Sequence, residues 1–273
     1  RGRVGGAIHH RLNDRGIAVT AVRRDGFDAW CDGHEPIGNI LIVATKDDVL
    51  RAVVERIVEK RGIDLQNVLV LHVNGSQGTE LLSPVHDVGA LAAAAHPFQT
   101  FGDDDPSALD EIGWGVQCDD AAWHRTREFV EHLGGIPWLM TDMSHERKRR
   151  YHAAAVDASN FTYAAYELAR RLADDADIPG DVFLIPIMQR TLKNASTALE
   201  KNLPFAITGP LIRGDVDAVR RQFESIPLQE RDLYRHLSLA LLQVVGGGLD
   251  SVTRDEMEMV LRGAHLAHPA RCA

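Results

Sequence analysis

The densest chemistry in the sequence lies in the stretch 148–160, which reads KRRYHAAAVDASN. At helical spacing Lys148, His152 and Ser159 fall on one face, with Tyr151 beside them and Asn160 next in the chain. An ammonium on such a face can give a proton or stabilise developing negative charge, and an amide can fix a substrate oxygen. Both suit a carbonyl or imine that is reduced by hydride. Two plainer readings stand beside this one. Lys148 also belongs to the charged run HERKRR at 145–150, which fits a solvated face, and the polar residues among the alanines also fit hydrogen bonds between packed helices. His96 is the other candidate acid or base. It precedes Pro97, which holds it extended, and it closes the alanine-rich stretch 92–95. Its alternative is a structural histidine bonded to backbone.

A second group points to a dinucleotide. Gly2, Arg3, Val4 and Gly5 read as the tail of a G-x-G-x-x-G turn whose first glycine and preceding strand are absent from the sequence. In such a turn Gly2 lets the backbone approach a pyrophosphate, Gly5 lets the following helix pack closely on the sheet, and the helix N-terminus faces the phosphates. Glycines also open ordinary turns. Arg23 and Arg24 follow the apolar run 17–22 (IAVTAV), where this architecture meets the adenosine ribose. Arginines there accommodate a 2′-phosphate, so NADP is favoured over NAD, against the alternative of a solvated pair on a turn. Thr45 and Lys46, then Asn74 and Gly75, end two further apolar runs and are candidate cofactor contacts, with Ser76 adjacent. Asp47 or Asp48 is expected to cap the next helix. Arg213, in the loop TGPLIRGD at 208–215, either holds a substrate carboxylate or pairs with Asp215.

These residues need elements to hold them. Apolar runs at 17–22, 40–45, 68–73 and 92–95, and a run near Val116, read as buried strands, with helices after the glycines and at 49–61 and 121–133. Such alternation indicates a mostly parallel, doubly wound sheet, an α/β fold. One connection, 25–39, is too short for the helix and strand that a full dinucleotide half would place there. From 144 onward the pattern is helical throughout. One helix is expected across 146–172, a break at Pro179-Gly180, and further helices at 182–200, 216–224, 230–245 and 253–262, the last opened by a Thr253/Glu256 capping box. Gly246, Gly247 and Gly248 read as a flexible joint. The expected division is therefore 1–143 for a Rossmann-like domain and 144–273 for an all-helical domain.

Composition sets the bounds. The 273 residues suffice for two domains, with 45% hydrophobic and 25% charged residues. A net charge of −9 argues against a nucleic-acid partner. Cys31, Cys118 and Cys272 are far apart and odd in number, which fits a reducing, cytoplasmic setting and neither a disulfide framework nor a zinc site. No apolar run reaches the length of a membrane span and no secretory pattern opens the sequence. The 13 histidines form no H-E-x-x-H or similar grouping, so no metal is expected.

Taken in order, GRVG, VATKDD, HVNGS, HPFQTF, YHAAAVDASN and TGPLIRGD resemble a family of uncharacterised proteins that join a Rossmann-like NADP-binding domain to a helical domain of unknown function. The family lies within the 6-phosphogluconate dehydrogenase-like superfamily, with prephenate dehydrogenase, ketopantoate reductase and pyrroline-5-carboxylate reductase as relatives. The resemblance implies a helical domain of the 6-phosphogluconate dehydrogenase C-terminal type, a cleft between the domains, and a homodimer made through the helical half. It matches Gly2, Arg3, Val4 and Gly5 to the cofactor turn, His96 to an H-P-hydrophobic-Q element, and Lys148, His152, Ser159 and Asn160 to the polar positions of the long helix. The leading expectation is an NADP-dependent oxidoreductase acting on a small carbonyl, imine or hydroxy acid. A non-catalytic dinucleotide-sensing module and a purely structural dimer are the alternatives.

Overall fold

A computed structural model of the chain describes residues 2–245 and 247–263. Gly246 and Cys272 lie outside the described residues. The chain forms two compact units, Arg1–Ser159 and Asn160–Ala273. The helix opening at residue 145 thus stays with the first unit, where the sequence pattern placed a division at 143/144.

The first unit runs α1 (Arg3–Asp14), α2 (Phe27–Asp32), β1 (Ile40–Val43), α3 (Asp47–Arg61), β2 (Leu69–His72), α4 (Ser83–His86), β3 (Leu91–Pro97), β4 (Gly113–Cys118), α5 (Asp120–Leu133), β5 (Ile136–Leu139) and α6 (His145–Val156). The strands form one sheet in the order β1-β2-β3-β4-β5, parallel except where β4 runs against β3. Side chains alternate across each strand, so the two faces bury different residues. Leu69, Leu71, Ala93, Ala95, Trp114 and Val116 pack with Ala7, Ile8 and Leu12 of α1 and Phe129, Val130 and Leu133 of α5. Val43, Val70 and Ala92 pack on the opposite face with Leu50, Val54 and Ile57 of α3, Val85 of α4 and Cys31 of α2. Helices on both faces explain why these strands read as unbroken apolar runs. Arg61, at the end of α3, is 2% exposed and holds the 25–39 connection, donating to the carbonyls of Trp30 at 3.0 Å and Glu35 at 2.5 Å while pairing with Asp64 at 2.6 Å.

Three expectations for this unit are corrected. The run 17–22 is irregular and not a strand. It has no ladder partner, and Ile17 and Val22 are exposed. Strand composition alone does not make a strand, because the backbone groups of a strand are satisfied only by a ladder partner. The sequence pattern did not reveal β5, which contains Pro137. Proline within a strand suits the edge position that β5 occupies beside β4. Finally, neither Asp47 nor Asp48 caps α3. Lys46 is the N-cap residue without a side-chain cap, and the Asp47 carboxylate instead accepts from Asn74 Nδ2 at 2.5 Å and from the Ser76 hydroxyl.

The helix expected across 146–172 is interrupted. Between α6 and α7 (Thr162–Asp175) lies one π-helical turn, Asp157–Phe161. Within it the Ser159 hydroxyl donates to the Ala155 carbonyl at 2.6 Å, the acceptor that a regular α-helix would give to the Ser159 N–H.

The second unit continues with α8 (Gly180–Glu200), α9 (Pro210–Arg213), α10 (Val216–Ser225), α11 (Arg231–Val245) and α12 (Ser251–Arg262). Val219 and Phe223 of α10, Leu242 of α11, and Met257, Val260 and Leu261 of α12 make its core. Arg171 of α7 pairs with Glu230 at 3.0 Å. The capping box expected at Thr253 is replaced by Asp250, whose carboxylate accepts from the Thr253 N–H at 3.0 Å and the Thr253 hydroxyl at 2.7 Å.

Candidate functional site

The carboxyl ends of β1, β2 and β3 lie along one edge of the first unit, the edge where parallel sheets carry ligands. Thr45 follows β1, Asn74 and Gly75 follow β2, and His96 is the penultimate residue of β3. Helix α1 brings its N-terminus to the same edge, for a Cβ on Gly5 would lie 3.1 Å from the Ala44 Cβ. Gly2 is the α1 N-cap residue, and a Cβ there would meet nothing within 4 Å.

His96 is the centre of a polar group. In the β3–β4 register it stands opposite Gly115. A side chain at 115 would fill the place taken by Tyr151, since a Cβ there would lie 2.7 Å from the phenol oxygen. Through that gap Tyr151 of α6 reaches His96 Nδ1 at 2.9 Å. Among the described residues His96 Nδ1 is the one acceptor within hydrogen-bond distance of the phenol hydroxyl. The phenol proton therefore goes to His96 Nδ1, and the imidazole carries its own proton on Nε2. Burial, followed by the charges of Lys148, His152 and His72, holds His96 down to about 3, so it is neutral near pH 7. Burial raises Tyr151 to about 12.

Gly75 brings two imidazoles against the strand end. A Cβ there would lie 2.7 Å from His96 Nε2 and 2.6 Å from His152 Nδ1. The two rings meet edge-on with centroids 6.0 Å apart. Phe98 closes the Tyr151 side, its ring centroid 4.9 Å from that of the tyrosine. Lys148 is 2% exposed, although its neighbours Arg147, Arg149 and Arg150 are exposed, so it is not part of a solvated face. Its Nζ stands 5.4 Å from the centre of the Tyr151 ring, and burial lowers the amine to about 8. Behind the group, His72 is locked by Gly78 O at 2.8 Å and by the Asn74 N–H at 3.2 Å, and burial lowers its pKa.

The remaining sequence candidates are less concentrated. Thr45 Oγ1 is buried without a hydrogen-bond partner. Lys46, Arg3, Arg23 and Arg24 are exposed. Asn74 has already given its Nδ2 to Asp47. Ser159 is bonded within α6, and Asn160 and Arg213 belong to the second unit, where Arg213 is exposed. Tyr151, named in the sequence cluster without a role, and Gly115 complete the group. The phenol could be suspected from its spacing, whereas Gly115 carried no signal because its importance comes from a cross-strand pairing.

The first unit defines the class: a Rossmann-like α/β protein followed by helices. Residues 112–241 match the family described as "Domain of unknown function (DUF2520)", and the resemblance read from the sequence stands. Among solved structures the chain is similar to a Bacteroides fragilis protein, BF3122, provisionally named an NADP oxidoreductase. The identity is 22%, the match covers 89% of this chain and 95% of that one, and the TM-score is 0.66. It is also similar to protein TM1727 of Thermotoga maritima, at 23% identity, 76% and 78% coverage and a TM-score of 0.56. A third likeness is to an imine reductase of Myxococcus stipitatus in complex with NADP+, at 15% identity, 97% and 91% coverage and a TM-score of 0.56. At these identities the likenesses establish the fold. No curated protein matches the chain. Among the described residues no helix is long and apolar enough to cross a membrane, and no cluster of metal-ligating residues is found.

Proposed function

We propose that the chain is an NADP-dependent oxidoreductase acting on a small carbonyl, imine or hydroxy-acid substrate at the edge that holds His96. The observation that carries this reading is the Tyr151–His96 hydrogen bond, which leaves His96 Nε2–H as a donor at the carboxyl end of a parallel sheet. The names of the solved relatives, among them an NADP+ complex, support the choice of cofactor.

The residues fit a dinucleotide. Gly2 leaves the α1 N-terminus open, Gly5 seats α1 close to Ala44, and Thr45 offers a buried hydroxyl without a partner. The backbone amides of Arg3, Val4 and Gly5 would face the pyrophosphate. Arg23 and Arg24 would meet the 2′-phosphate, and Lys46, Asn74 and Gly75 would line the ribose or nicotinamide end. The bound dinucleotide would supply or accept hydride.

The chain's own residues handle the proton. His96 Nε2–H donates to the substrate oxygen or nitrogen and can pass its proton there while Nδ1 takes the proton of Tyr151. The resulting phenolate is stabilised by the ammonium of Lys148 beside its ring. The relay resets when Nδ1 gives its proton back to the phenolate and solvent returns one to His96 Nε2. His152 and Ser159 are proposed as further substrate contacts.

Titration of the full chain with NADPH and NADH, followed by a screen for substrate-dependent NADPH oxidation, tests the reading. Tight NADPH binding with turnover of one substrate class supports it. Equal weak binding of both nucleotides removes it, and tight binding with no turnover leaves the sensing module instead.

The chain is further proposed to form a homodimer in the cytoplasm through its helical unit. Helix α8 supports this, because Val182, Phe183, Ile187 and Leu192 are each more than half exposed. Light scattering after size exclusion is expected to give twice the chain mass, and Ile187→Glu is expected to halve it.

A further inference from the structure

We propose that Lys148 and His152 form a receptor for a carboxylate, so that the ligand of this site is an acid (an oxo, imino or hydroxy acid) and not a plain ketone or imine. The receptor itself stands on the geometry of α6, whereas the word substrate and the choice of carboxylate over phosphate rest on the redox reading.

Lys148 and His152 are one helical turn apart on the same face of α6. Both end in buried nitrogens without partners: neither Lys148 Nζ nor His152 Nδ1 has a hydrogen bond among the described residues. The charged stretch around Lys148 is exposed on every side, yet this one ammonium is carried inward without a hydrogen bond, with Glu80 acting on it from a distance. A buried charge of that kind is costly unless it is paired. Two carboxylates act on the group from other elements, and both are engaged elsewhere. Glu80 accepts from the Gly78 N–H at 3.0 Å and lies 3.8 Å from His145 Nδ1, while Asp47 is bonded to Asn74 and Ser76. The other groups that face it are His72 from β2, His96 from β3 and Tyr151 from α6, and none of these is an anion near neutral pH.

The group therefore holds more donors than acceptors and latent positive charge: Gln117 Oε1, unpartnered beside Gly78, is neutral and brings no charge to balance the ammonium. A carboxylate supplies two acceptor oxygens and one negative charge, and charge-assisted hydrogen bonds to both nitrogens would satisfy them together. A phosphate carries the same chemistry, but on the redox reading the phosphates of the dinucleotide are placed at the N-terminus of α1. The carboxylate is thus assigned to α6. With the acid group held there, the adjoining carbonyl or imine can reach the second donor of the site, His96 Nε2–H. Because Lys148 loses its proton at about 8, the affinity for the anion must weaken as the pH rises past that point.

The test uses the full chain, with pyruvate, acetone and inorganic phosphate as probes in titration calorimetry at pH 7 and pH 9, each with and without NADPH. Wild type is expected to bind pyruvate at least tenfold more tightly than acetone or phosphate, and at least tenfold more tightly at pH 7 than at pH 9. Lys148→Met is expected to lose tenfold or more in pyruvate affinity while unfolding at a higher temperature than wild type, since it replaces an unpaired buried amine by an apolar chain of similar length. His152→Phe is expected to weaken pyruvate binding with the pH dependence retained. Undiminished pyruvate binding in Lys148→Met overturns the proposal, as does phosphate bound as tightly as pyruvate, no pyruvate binding by wild type under any of these conditions, or a lowered unfolding temperature in Lys148→Met. Pyruvate binding that persists in a chain unable to bind NADPH would retain the receptor and discard the redox reading.

Discussion

Tyr151 and His96 are joined by a 2.9 Å hydrogen bond across 55 residues of chain, and the direction of that bond fixes which imidazole nitrogen carries the proton. Among the described residues the phenol hydroxyl has no other acceptor, so its proton points at Nδ1. Tyr151→Phe removes the donor and leaves the ring in place. His96 is then expected to populate both tautomers, which 15N NMR of the imidazole reads directly. If the redox reading holds, kcat should fall about 10- to 100-fold with KM nearly unchanged, the size expected for one lost proton-handling group. An unchanged His96 spectrum would show that the phenol does not set the tautomer.

Gly115 permits this contact, and its substitution makes a separate prediction. An added Cβ would lie 2.7 Å from the phenol oxygen and 2.8 Å from the Met140 Cε, so both side chains must shift. Gly115→Ala is expected to cost about 1–3 kcal/mol through overpacking and to reproduce the mixed His96 tautomers of Tyr151→Phe. Denaturant unfolding and the same imidazole spectrum check both parts.

This pair also shows what could be read from sequence. His96 was legible because a following proline and an alanine run mark a strand end, and Lys148 and His152 because their spacing suits one helix face. The strands with helices on both sides were legible for the same reason: full burial writes continuous apolar runs. What failed depended on pairing. Residues 17–22 have strand composition but no partner, and β5 has a proline and two exposed side chains, Ile136 and Trp138, yet it pairs with β4. Lys148 shows a further limit. The run HERKRR gives no hint of which residue turns inward, because burial is decided by the strands beneath α6 and not by its own composition.

The histidine group makes stability depend on pH at the acid end. His96 is held at about 3 in the folded chain, against its ordinary 6.5. Between those values the unfolded chain binds the proton and the folded chain does not. The contribution of this group is therefore complete above pH 6.5 and is lost as the pH drops towards 3, by about 1.4 kcal/mol per unit. His72, also lowered, adds to the slope in the same direction. Lys148 acts at the other end: its amine is lowered to about 8, so stability rises between pH 8 and 10.5 as the folded chain is freed of the buried charge first. Urea unfolding across pH 3–10.5 should show both slopes. His96→Gln should flatten the acid limb by about one proton, and Lys148→Met should abolish the alkaline rise.

Arg23 and Arg24 offer the cleanest test of the cofactor, because their removal should leave the fold alone. Both are exposed, and neither guanidinium has a hydrogen bond or ion pair among the described residues. A surface side chain with no partner contributes little, so the double substitution Arg23→Ala/Arg24→Ala should change stability by no more than about 0.5 kcal/mol. A guanidinium that meets a 2′-phosphate is different. Its charge-assisted hydrogen bonds contribute about 1.5–3 kcal/mol, and NADH offers it no such group. The double variant is expected to weaken NADPH binding at least tenfold and to leave NADH binding within twofold of wild type, measured by fluorescence titration at fixed ionic strength. Since both arginines follow the irregular run 17–22 and not a strand, their reach towards the ribose depends on that run holding its course past α1, where Val19 packs against the core. Equal losses for the two nucleotides would mean that the arginines act through general electrostatics, and the preference for the phosphorylated cofactor would then have to come from another part of the chain.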